Sequence, residues 1–301
     1  MVATRTKPET AAQARVANGA AKRRLTLEPA LFYLVATALG LIFIFPFFWA
    51  LTSSLKTFPE VNTFPPLLFP AVPQWQNYTS VVVDRPFGLW VRNSMFVVLA
   101  STSGALLSSS LLAYSFARFN YRGRDLLFLI TLGTLMLPAQ VTLIPQYILF
   151  SKLGWINTLQ PLWVPYWFGG GPFSIFLLRQ FILSLPRDLD EAALTDGASP
   201  FRIYRSIVMP LCKPALATLA ILWFVNGWND FLAPIVYLNT PDNFTVAIGL
   251  NSLKQLSQFG GQRLQNDLMA AAVLATLPCI AIFLAGQRYF VRGVVLSGLK
   301  G

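Results

Sequence analysis

The sequence predicts an all-α polytopic membrane protein. Hydrophobic residues make up 55% of its 301 residues and charged residues only 12%, which is about half the charged share of an average soluble domain. The mean hydropathy is +0.56. Charge-poor stretches recur along the chain at the length of about 20 residues that a helix needs to cross the hydrocarbon of a bilayer. We therefore expect membrane-spanning helices rather than a water-soluble core.

Six charge-poor stretches predict six spans. Residues 1–28, which precede them, are basic and rich in Ala and Thr, and we predict a disordered tail there. Residues 29–301 form one transmembrane domain, and its predicted spans are residues 30–51, 95–116, 126–150, 153–178, 214–238 and 268–287. The first stretch exceeds the roughly 7–15 apolar residues of a signal peptide, so we expect it to remain as a span. Proline and glycine interrupt several stretches, as in transporter helices that break around a cavity.

The basic residues predict the orientation of these spans. Most of the 23 lysines and arginines lie in the tail, after predicted spans two and four, and at the C-terminus. The positive-inside rule then predicts that both termini are cytoplasmic. The same distribution accounts for the net charge of +11 without nucleic acid, whose binding would require a soluble basic face.

The composition also excludes several kinds of catalysis. The chain has no histidine, which excludes histidine-based acid–base catalysis and histidine metal sites. Its two cysteines, Cys212 and Cys279, are far apart and form no CxxC motif, so a zinc site or a disulfide framework is excluded. There is no GxxxxGK(S/T) motif to cradle the phosphates of ATP. We expect no catalytic residue, metal or cofactor in this chain.

The stretch between predicted spans four and five, residues 186–214, predicts two short helices that meet at a corner. The first covers about 188–195, with acidic residues in its first turn that complement the helix dipole. Gly197 stands where a left-handed residue ends a helix. Ser199 is a favoured N-cap, and Pro200 a favoured first residue of the second helix. The apolar face predicted for that second helix contains Phe201, Ile203, Tyr204, Ile207 and Val208.

Two interpretations of this helix pair follow from its charge. An interfacial helix would anchor the segment to lipid. The acidic first helix would, however, be repelled by an anionic leaflet, which favours docking into a groove on another protein. Lipid anchoring stays open as the alternative.

The same stretch resembles the EAA loop of ATP-binding cassette (ABC) importer permeases. The matching residues are Glu191, Ala192, Ala193, Asp196, Gly197, Ala198, Ile207 and Pro210. Tyr204 departs mildly from the family, in which many members have Phe. Further similarity runs through most of the chain, including Pro46–Trp49, Ser53–Lys56 and Asn93-Ser94. The chain is most similar to the carbohydrate family, and within it to the shorter permease subunit of maltose-type importers.

The resemblance implies a mechanism and a set of partners. The EAA loop would be a coupling helix seated in a cleft of a cytoplasmic ATPase subunit, with Glu191 paired to a basic residue there. Closure of two ATPase subunits, which carry ATP and Mg, would drive alternating access in this chain and a second permease subunit. The C-terminal tail 288–301 would also contact the ATPase, through Leu299, Lys300 and Gly301. An extracytoplasmic binding protein would deliver a maltose- or trehalose-like sugar at the inner membrane of a prokaryote.

Polar residues within the spans are candidates for the substrate path. Asp230 is the one acid inside a predicted span, and intramembrane ionisable groups are often functional. Aromatic faces and amides suit a sugar, and the candidates are Gln140, Gln146, Asn226, Trp228, Asn229 and Asp230. Alternatively, these residues hold helices together. In the outer loop, residues 254–265 resemble the segment that contacts the binding protein, although a plain connector is nearly as well supported.

Other functions remain as alternatives. The chain could carry another small solute, such as glycerol phosphate, by the same coupling mechanism. A polytopic enzyme would need a catalytic carboxylate set, and the inner acids Asp188, Asp190, Glu191 and Asp196 do not face a second polar cluster. A stand-alone channel would need a ring of charges or carbonyls that the sequence does not contain.

Overall fold

The computed structural model describes residues 11–258 and 262–298, and in this part the chain is built of helices joined by short loops. The α-helices are α1 (Ala11–Ser54), α2 (Phe58–Val61), α3 (Gln76–Val83), α4 (Phe87–Arg118), α5 (Arg124–Gly133), α6 (Ala139–Lys152), α7 (Gln160–Trp163), α8 (Pro172–Leu183), α9 (Asp188–Thr195), α10 (Pro200–Ile203), α11 (Met209–Leu211), α12 (Lys213–Trp228), α13 (Leu232–Tyr237), α14 (Val246–Gln258) and α15 (Gln262–Gly298). Short 3₁₀ turns cover Thr134–Met136, Val164–Phe168 and Pro241–Asn243, and a π-helical turn covers Tyr204–Val208.

Membrane-length helices are present in two forms. Three apolar helices are long enough to cross a bilayer unbroken, namely Leu31–Ser54 within α1, the whole of α4, and Gln265–Gln287 within α15. Three further candidates are pairs of helices bent by 100°, 76° and 75° at a short break. The described residues therefore contain three candidate spans, or six if each bent pair is counted as one.

The helices differ in extent from three of the predicted spans, two of which break near prolines as the sequence indicates. The predicted span 126–150 is interrupted at Leu137, which is extended because the following residue is Pro138. The predicted span 214–238 ends as a helix at Trp228 and resumes at Leu232. Pro234 has no N–H to donate to the carbonyl of Asp230, which favours a break in the helix at this point. The predicted span 153–178 also differs, because its helical part begins only at Gln160.

Both ends of the chain differ in extent from the sequence prediction. Helix α1 begins at Ala11, so residues 11–28, for which composition predicts disorder, are helical. Alanine is frequent in this stretch and has the highest helix propensity. At the other end α15 continues to Gly298. The predicted ATPase contacts Leu299, Lys300 and Gly301 lie outside the described residues.

Helix α4 is the centre of the structure. It packs against α8, α12, α14 and the 3₁₀ turn Val164–Phe168. Gly104 of α4 allows the ring of Trp167 to lie directly on its backbone, where any Cβ would clash. By contrast, α1 packs mainly on α15 and leaves its apolar residues 31–47 exposed. The buried core is thus organised around α4, whereas α1 lies at the periphery.

Candidate functional site

The corner of the 186–214 segment is formed by hydrogen bonds at the C-terminus of α9. The N–H of Ala198 donates to the carbonyl of Ala193 (2.9 Å), and the N–H of Gly197 donates to that of Leu194 (3.0 Å). This pair of bonds is a Schellman motif, which requires a left-handed residue. Gly197 supplies it with a φ of +77°. Asp196 is the C-cap of the helix. The predicted corner is therefore confirmed, and its cause is local.

The second helix begins as the sequence predicts. The hydroxyl of Ser199 accepts a hydrogen bond from the N–H of Arg202 (3.3 Å), and Pro200 is the first helical residue. The helix then widens into the π-helical turn before Pro210. Proline has no N–H for the carbonyl four residues earlier, and a widened turn accommodates its ring. Pro210 itself is exposed and Ile207 is half-buried.

One side of the 186–214 segment is packed against the rest of the protein. Ala193 of α9 and Ile203 of α10 are buried together with Tyr204 and Val208 of the π-helical turn. The surface that they contact is a cluster contributed by α4, α8 and the start of α12, consisting of Ala113, Tyr114, Ala117, Leu178, Ile182, Cys212, Ala215 and Leu219. The helix pair is thus firmly attached to the spans and not a loose loop.

The other side of the segment is exposed. Glu191, Ala192 and Asp196 of the matching motif all face solvent. Beside them lie three apolar side chains with large exposed fractions, Leu189 (42%), Leu194 (53%) and Phe201 (63%). Phe201 belongs to the predicted apolar face but is not buried: it stands at the tip, and its ring is tilted against that of Tyr204 (centroids 5.9 Å apart, interplanar angle 31°). This acidic and apolar surface is called the tip surface below.

An ion pair beneath the tip surface was missed from the sequence. Arg118 at the end of α4 and Asp190 of α9 approach to 2.7 Å between Nε and Oδ2, and their side chains are only 6% and 15% exposed. The Arg118 Nη2 also donates to the carbonyl of Leu185 (3.3 Å). Asp190 directly precedes the motif residue Glu191, yet the two acids differ completely in environment. No local pattern in the sequence distinguishes the acid that turns inward.

A cavity of about 130 Å³ lies deeper in the protein, between α4, α12 and the break that follows α12. Its lining consists of Ser94, Val97, Ser101, Leu162, Tyr166, Trp223, Asn226, Gly227, Asp230, Pro234 and Thr245. The rings of Tyr166 and Trp223 meet edge to face, with centroids 5.0 Å apart. The Asp230 Oδ1 accepts a hydrogen bond from the N–H of Ala233 (3.4 Å). An aromatic pair, an amide and a carboxylate therefore line one space.

The structure separates the six predicted path residues. Asn226 and Asp230 line this cavity. Trp228 and Asn229 both line a different cavity beside α15, and the Nε1 of Trp228 donates to the carbonyl of Ala275 (3.0 Å). The two glutamines of α6 are exposed: Gln140 lies near its start, and Gln146 accepts a hydrogen bond from the Tyr237 hydroxyl (3.4 Å).

Helical spacing could have predicted this separation. Trp223, Asn226 and Asp230 are three and four residues apart and so share one face, whereas Trp228 and Asn229 point elsewhere. Trp223 was therefore recognisable as a cavity residue from the sequence. Tyr166 was not, because it reaches the cavity from a 3₁₀ turn far away in the chain.

The loop after α1 is held by a buried lysine. Lys56 is fully buried, donates from Nζ to the carbonyl of Leu67 (2.6 Å), and lies 4.1 Å from the centroid of the Trp49 ring. Burial lowers the pKa of the Lys56 amine. In the same loop, the N–H groups of Thr57 and Ala71 donate to the Glu60 carboxylate (2.7 and 2.9 Å) and lower its pKa.

The segment 254–265, for which a contact with a binding protein is predicted, includes residues outside the described part of the chain.

Comparison with known proteins decides the family. Residues 105–296 match the family described as binding-protein-dependent transport system inner membrane component. The chain belongs to this family. It is 36% identical over 87% of its length to the arabinooligosaccharides transport system permease protein AraQ of Bacillus subtilis, with 92% of that protein covered. It is 32% identical over 93% of its length to the trehalose/maltose transport system permease protein MalG of Thermococcus litoralis, with 99% covered.

A third relative is named for the transport of a different kind of solute. The chain is 34% identical over 85% of its length to the sn-glycerol-3-phosphate transport system permease protein UgpE of Yersinia enterocolitica, with 92% covered. All three relatives are named permeases of transport systems. This permease is accordingly a transport subunit of the membrane and not an enzyme, as the sequence predicts.

Solved structures confirm the fold. The permease matches a chain in the crystal structure of a bacterial ABC transporter involved in the import of the acidic polysaccharide alginate, with a TM-score of 0.76, 21% identity, and coverage of 94% of this chain and 100% of that chain. A second match is a bacterial alginate ABC transporter in complex with an alginate pentasaccharide-bound periplasmic protein, with a TM-score of 0.62, 16% identity and coverage of 88% and 93%.

Proposed function

We propose that this permease moves a sugar or oligosaccharide across the inner membrane by alternating access, driven through its tip surface by partner ATPase subunits. The observation that carries the proposal is the combination of a firmly packed inner side and an exposed acidic and apolar outer side in one helix pair. Force can be transmitted only through a segment that is attached to the spans. The tip surface offers the partner both apolar area and a negative charge.

The tip surface fits a protein groove better than a lipid surface. Glu191 and Asp196 would be repelled by anionic headgroups, whereas in a groove Glu191 can pair with a basic side chain. Leu189, Leu194 and Phe201 would be the buried anchors of such an interface, since large apolar side chains dominate binding energy. Ala192 is small enough to allow close approach beside Glu191. ATP and Mg would be bound by the partner subunits.

The wider arrangement follows the family. We infer six spans, with both termini cytoplasmic. Of the two bent pairs that include α9 to α11, only Gln160–Leu183 and Lys213–Trp228 would lie in the membrane, because the other halves form the tip surface. A second permease subunit and two ATPase subunits would complete the membrane complex, and the tail 288–301 would add an ATPase contact through Leu299, Lys300 and Gly301. An extracytoplasmic binding protein would deliver the solute, and residues 254–265 would contact it. The alginate transporter crystallised with a periplasmic protein supports a partner of this kind.

The cavity that contains Asn226 and Asp230 is the proposed substrate contact of this subunit. Sugars bind through hydroxyl hydrogen bonds and through stacking on aromatic rings, and Tyr166 and Trp223 supply the rings. A neutral sugar suits the cavity better than glycerol phosphate, because the Asp230 carboxylate would repel a phosphate. The relatives named for arabinooligosaccharides and for trehalose/maltose support the same class of substrate.

Charge reversal at the tip surface tests the proposal. Glu191→Lys would place a cation where the ATPase cleft is expected to supply one, which should cost on the order of 3–5 kcal/mol at a buried contact. We expect the variant to lose the ATPase on purification and to lose solute uptake. Asp125→Lys is the matched control, since Asp125 is an exposed acid (72%) whose ion pair with Arg124 contributes little.

The experiment has one result that would refute the proposal. If Glu191→Lys co-purified normally with the ATPase and supported uptake at the level of Asp125→Lys, the tip surface would not be the coupling contact.

A further inference from the structure

Three polar side chains on one face of α4 contact the 186–214 segment at three different places. Ser110, Tyr114 and Arg118 are spaced four residues apart and so lie in one row. The Ser110 hydroxyl shares a hydrogen bond with the Tyr204 hydroxyl (2.7 Å). The Tyr114 hydroxyl donates to the carbonyl of Pro200 (3.2 Å), and Arg118 pairs with Asp190 (2.7 Å). The row therefore joins α4 to α9, to α10 and to the π-helical turn.

The ion pair is the stiffest part of this row. Both side chains are nearly buried, and the Arg118 Nη1 and Asp190 Oδ1 have no hydrogen-bond partner among the described residues. Each charge thus depends on the other, because water does not replace a lost partner at a buried site. The exposed pair Arg124–Asp125, with a similar separation of 2.9 Å, lacks this dependence.

The Ser110–Tyr204 bond satisfies a buried hydroxyl. Tyr204 lies in a largely apolar cluster, where its hydroxyl would be buried without another polar partner. Ser110 supplies that partner at a position that is itself almost fully buried. Without this partner the buried hydroxyl would lose its hydrogen bonds to water and gain none in return. The two residues therefore form a matched pair across the joint.

The N-terminal half of α4 lines the cavity that contains Asn226 and Asp230. Ser94, Val97 and Ser101 of α4 are part of the cavity wall. No proline interrupts α4 between Phe87 and Arg118. At a rise of 1.5 Å per residue, Ser101 lies about 14 Å along the helix from Ser110. One continuous helix therefore connects the joint with the proposed substrate contact.

We propose that Ser110, Tyr114 and Arg118 form the joint through which movement of the 186–214 segment reaches the cavity, with Arg118–Asp190 as its rigid element. Arg118 is a positioning residue: it contacts neither the ATPase nor the solute. The inference rests on the proposed function, because it assumes that the ATPase moves the segment. A pair that served only to hold the fold together would affect stability without affecting the solute transported per ATP.

A double-mutant cycle in the complete importer, reconstituted in lipid with its binding protein, separates these roles. The variants are Arg118→Ala, Asp190→Ala, the double substitution and Arg118→Lys, with Arg124→Ala as the matched control at the exposed pair. Uptake per ATP hydrolysed is measured and normalised to the folded, ATPase-bound fraction. A cysteine at the exposed position Thr195, cross-linked to the ATPase, reports docking in every variant.

We expect each single alanine variant to lower uptake per ATP about tenfold, and the double variant to be no worse than the poorer single, as for residues that act as one unit. Arg118→Lys, which keeps the charge and is the variant most compatible with folding, should regain most of the loss, and Arg124→Ala should resemble the parent. Unchanged uptake per ATP in cross-linked single variants, or losses that multiply in the double variant, would overturn the joint. A missing cross-link in the parent would instead refute the proposed function.

Discussion

Two aspartates of this permease, Asp190 and Asp230, are held in opposite ways. Asp190 is paired with Arg118 at 2.7 Å beneath the tip surface. Asp230 lies at the break after α12, faces the cavity, and forms no ion pair with any residue in 11–258 or 262–298. Its hydrogen bond from Ala233 is long, at 3.4 Å. The ion pair indicates that Asp190 holds α9 against α4. Asp230 has no such partner and is therefore available to a ligand.

The physical reason lies in the cost of moving a charge out of water. A buried carboxylate is tolerated when a cation and hydrogen bonds compensate for its lost hydration. A carboxylate within a membrane protein that lacks a cation persists where it lines a polar or wet space. The same residue type therefore serves as a fixed contact in one region and as an open acceptor in the other. Substitutions at the two aspartates test this contrast, and a substitution at the corner provides an intermediate effect on stability between them.

The largest effect on stability is expected from Asp190→Ala. The substitution leaves the Arg118 guanidinium buried without its partner, which should lower the free energy of unfolding by about 3 kcal/mol. Thermal unfolding of the purified protein in detergent would measure the loss. Asp188→Ala, which removes an exposed acid from the same helix, is the control and should change little. If the two variants were equally stable, Asp190 would not be the residue that holds α9 against α4.

A smaller effect is expected at the corner, from Gly197→Ala. A new Cβ would meet no atom within 4 Å, so the cost is that of a left-handed residue alone, roughly 1–2 kcal/mol. Gly197→Asn should cost less, because Asn tolerates this conformation. Gly88→Ala in α4 provides the control, since it also has open space but an ordinary φ. A Gly197→Ala protein as stable as the Gly88→Ala protein in thermal unfolding would argue against the corner as a constraint.

The smallest effect on stability and a clear effect on transport are expected from Asp230→Asn. With no ion pair to lose, the variant should unfold within about 0.5 kcal/mol of the parent. Loss of a charged acceptor for a sugar hydroxyl should lower solute-stimulated ATP hydrolysis about tenfold, in line with the 1.5–3 kcal/mol of such a bond. Asp242→Asn, at an exposed acid of the 3₁₀ turn Pro241–Asn243, is the control. Unchanged stimulation and solute preference in Asp230→Asn would exclude the cavity from the path.

The helix pair of the 186–214 segment shows how far local signals reach. Gly197, Ser199 and Pro200 each act within a few residues of their own position, and each has the predicted role in the structure. The exposure of Phe201 at the tip is not a local property, because it depends on how the pair is packed against α4 and α8. The break after Trp228 was foreseeable from Pro234, but its consequence, the exposure of Asp230 to the cavity, was not.

The sequence by itself determined the membrane class, the family resemblance, the corner at Gly197 and the acidic character of the tip surface. These properties depend on composition, on charge and on hydrogen bonds between residues close together in the chain. Only the tertiary structure decided that Asp190 turns inward to Arg118 and that Asn226 and Asp230 share a cavity with Tyr166. Such contacts join residues far apart in sequence. Which of two similar side chains is buried, as with Asp190 and Glu191, depends on which side of the helix packs against the rest of the protein.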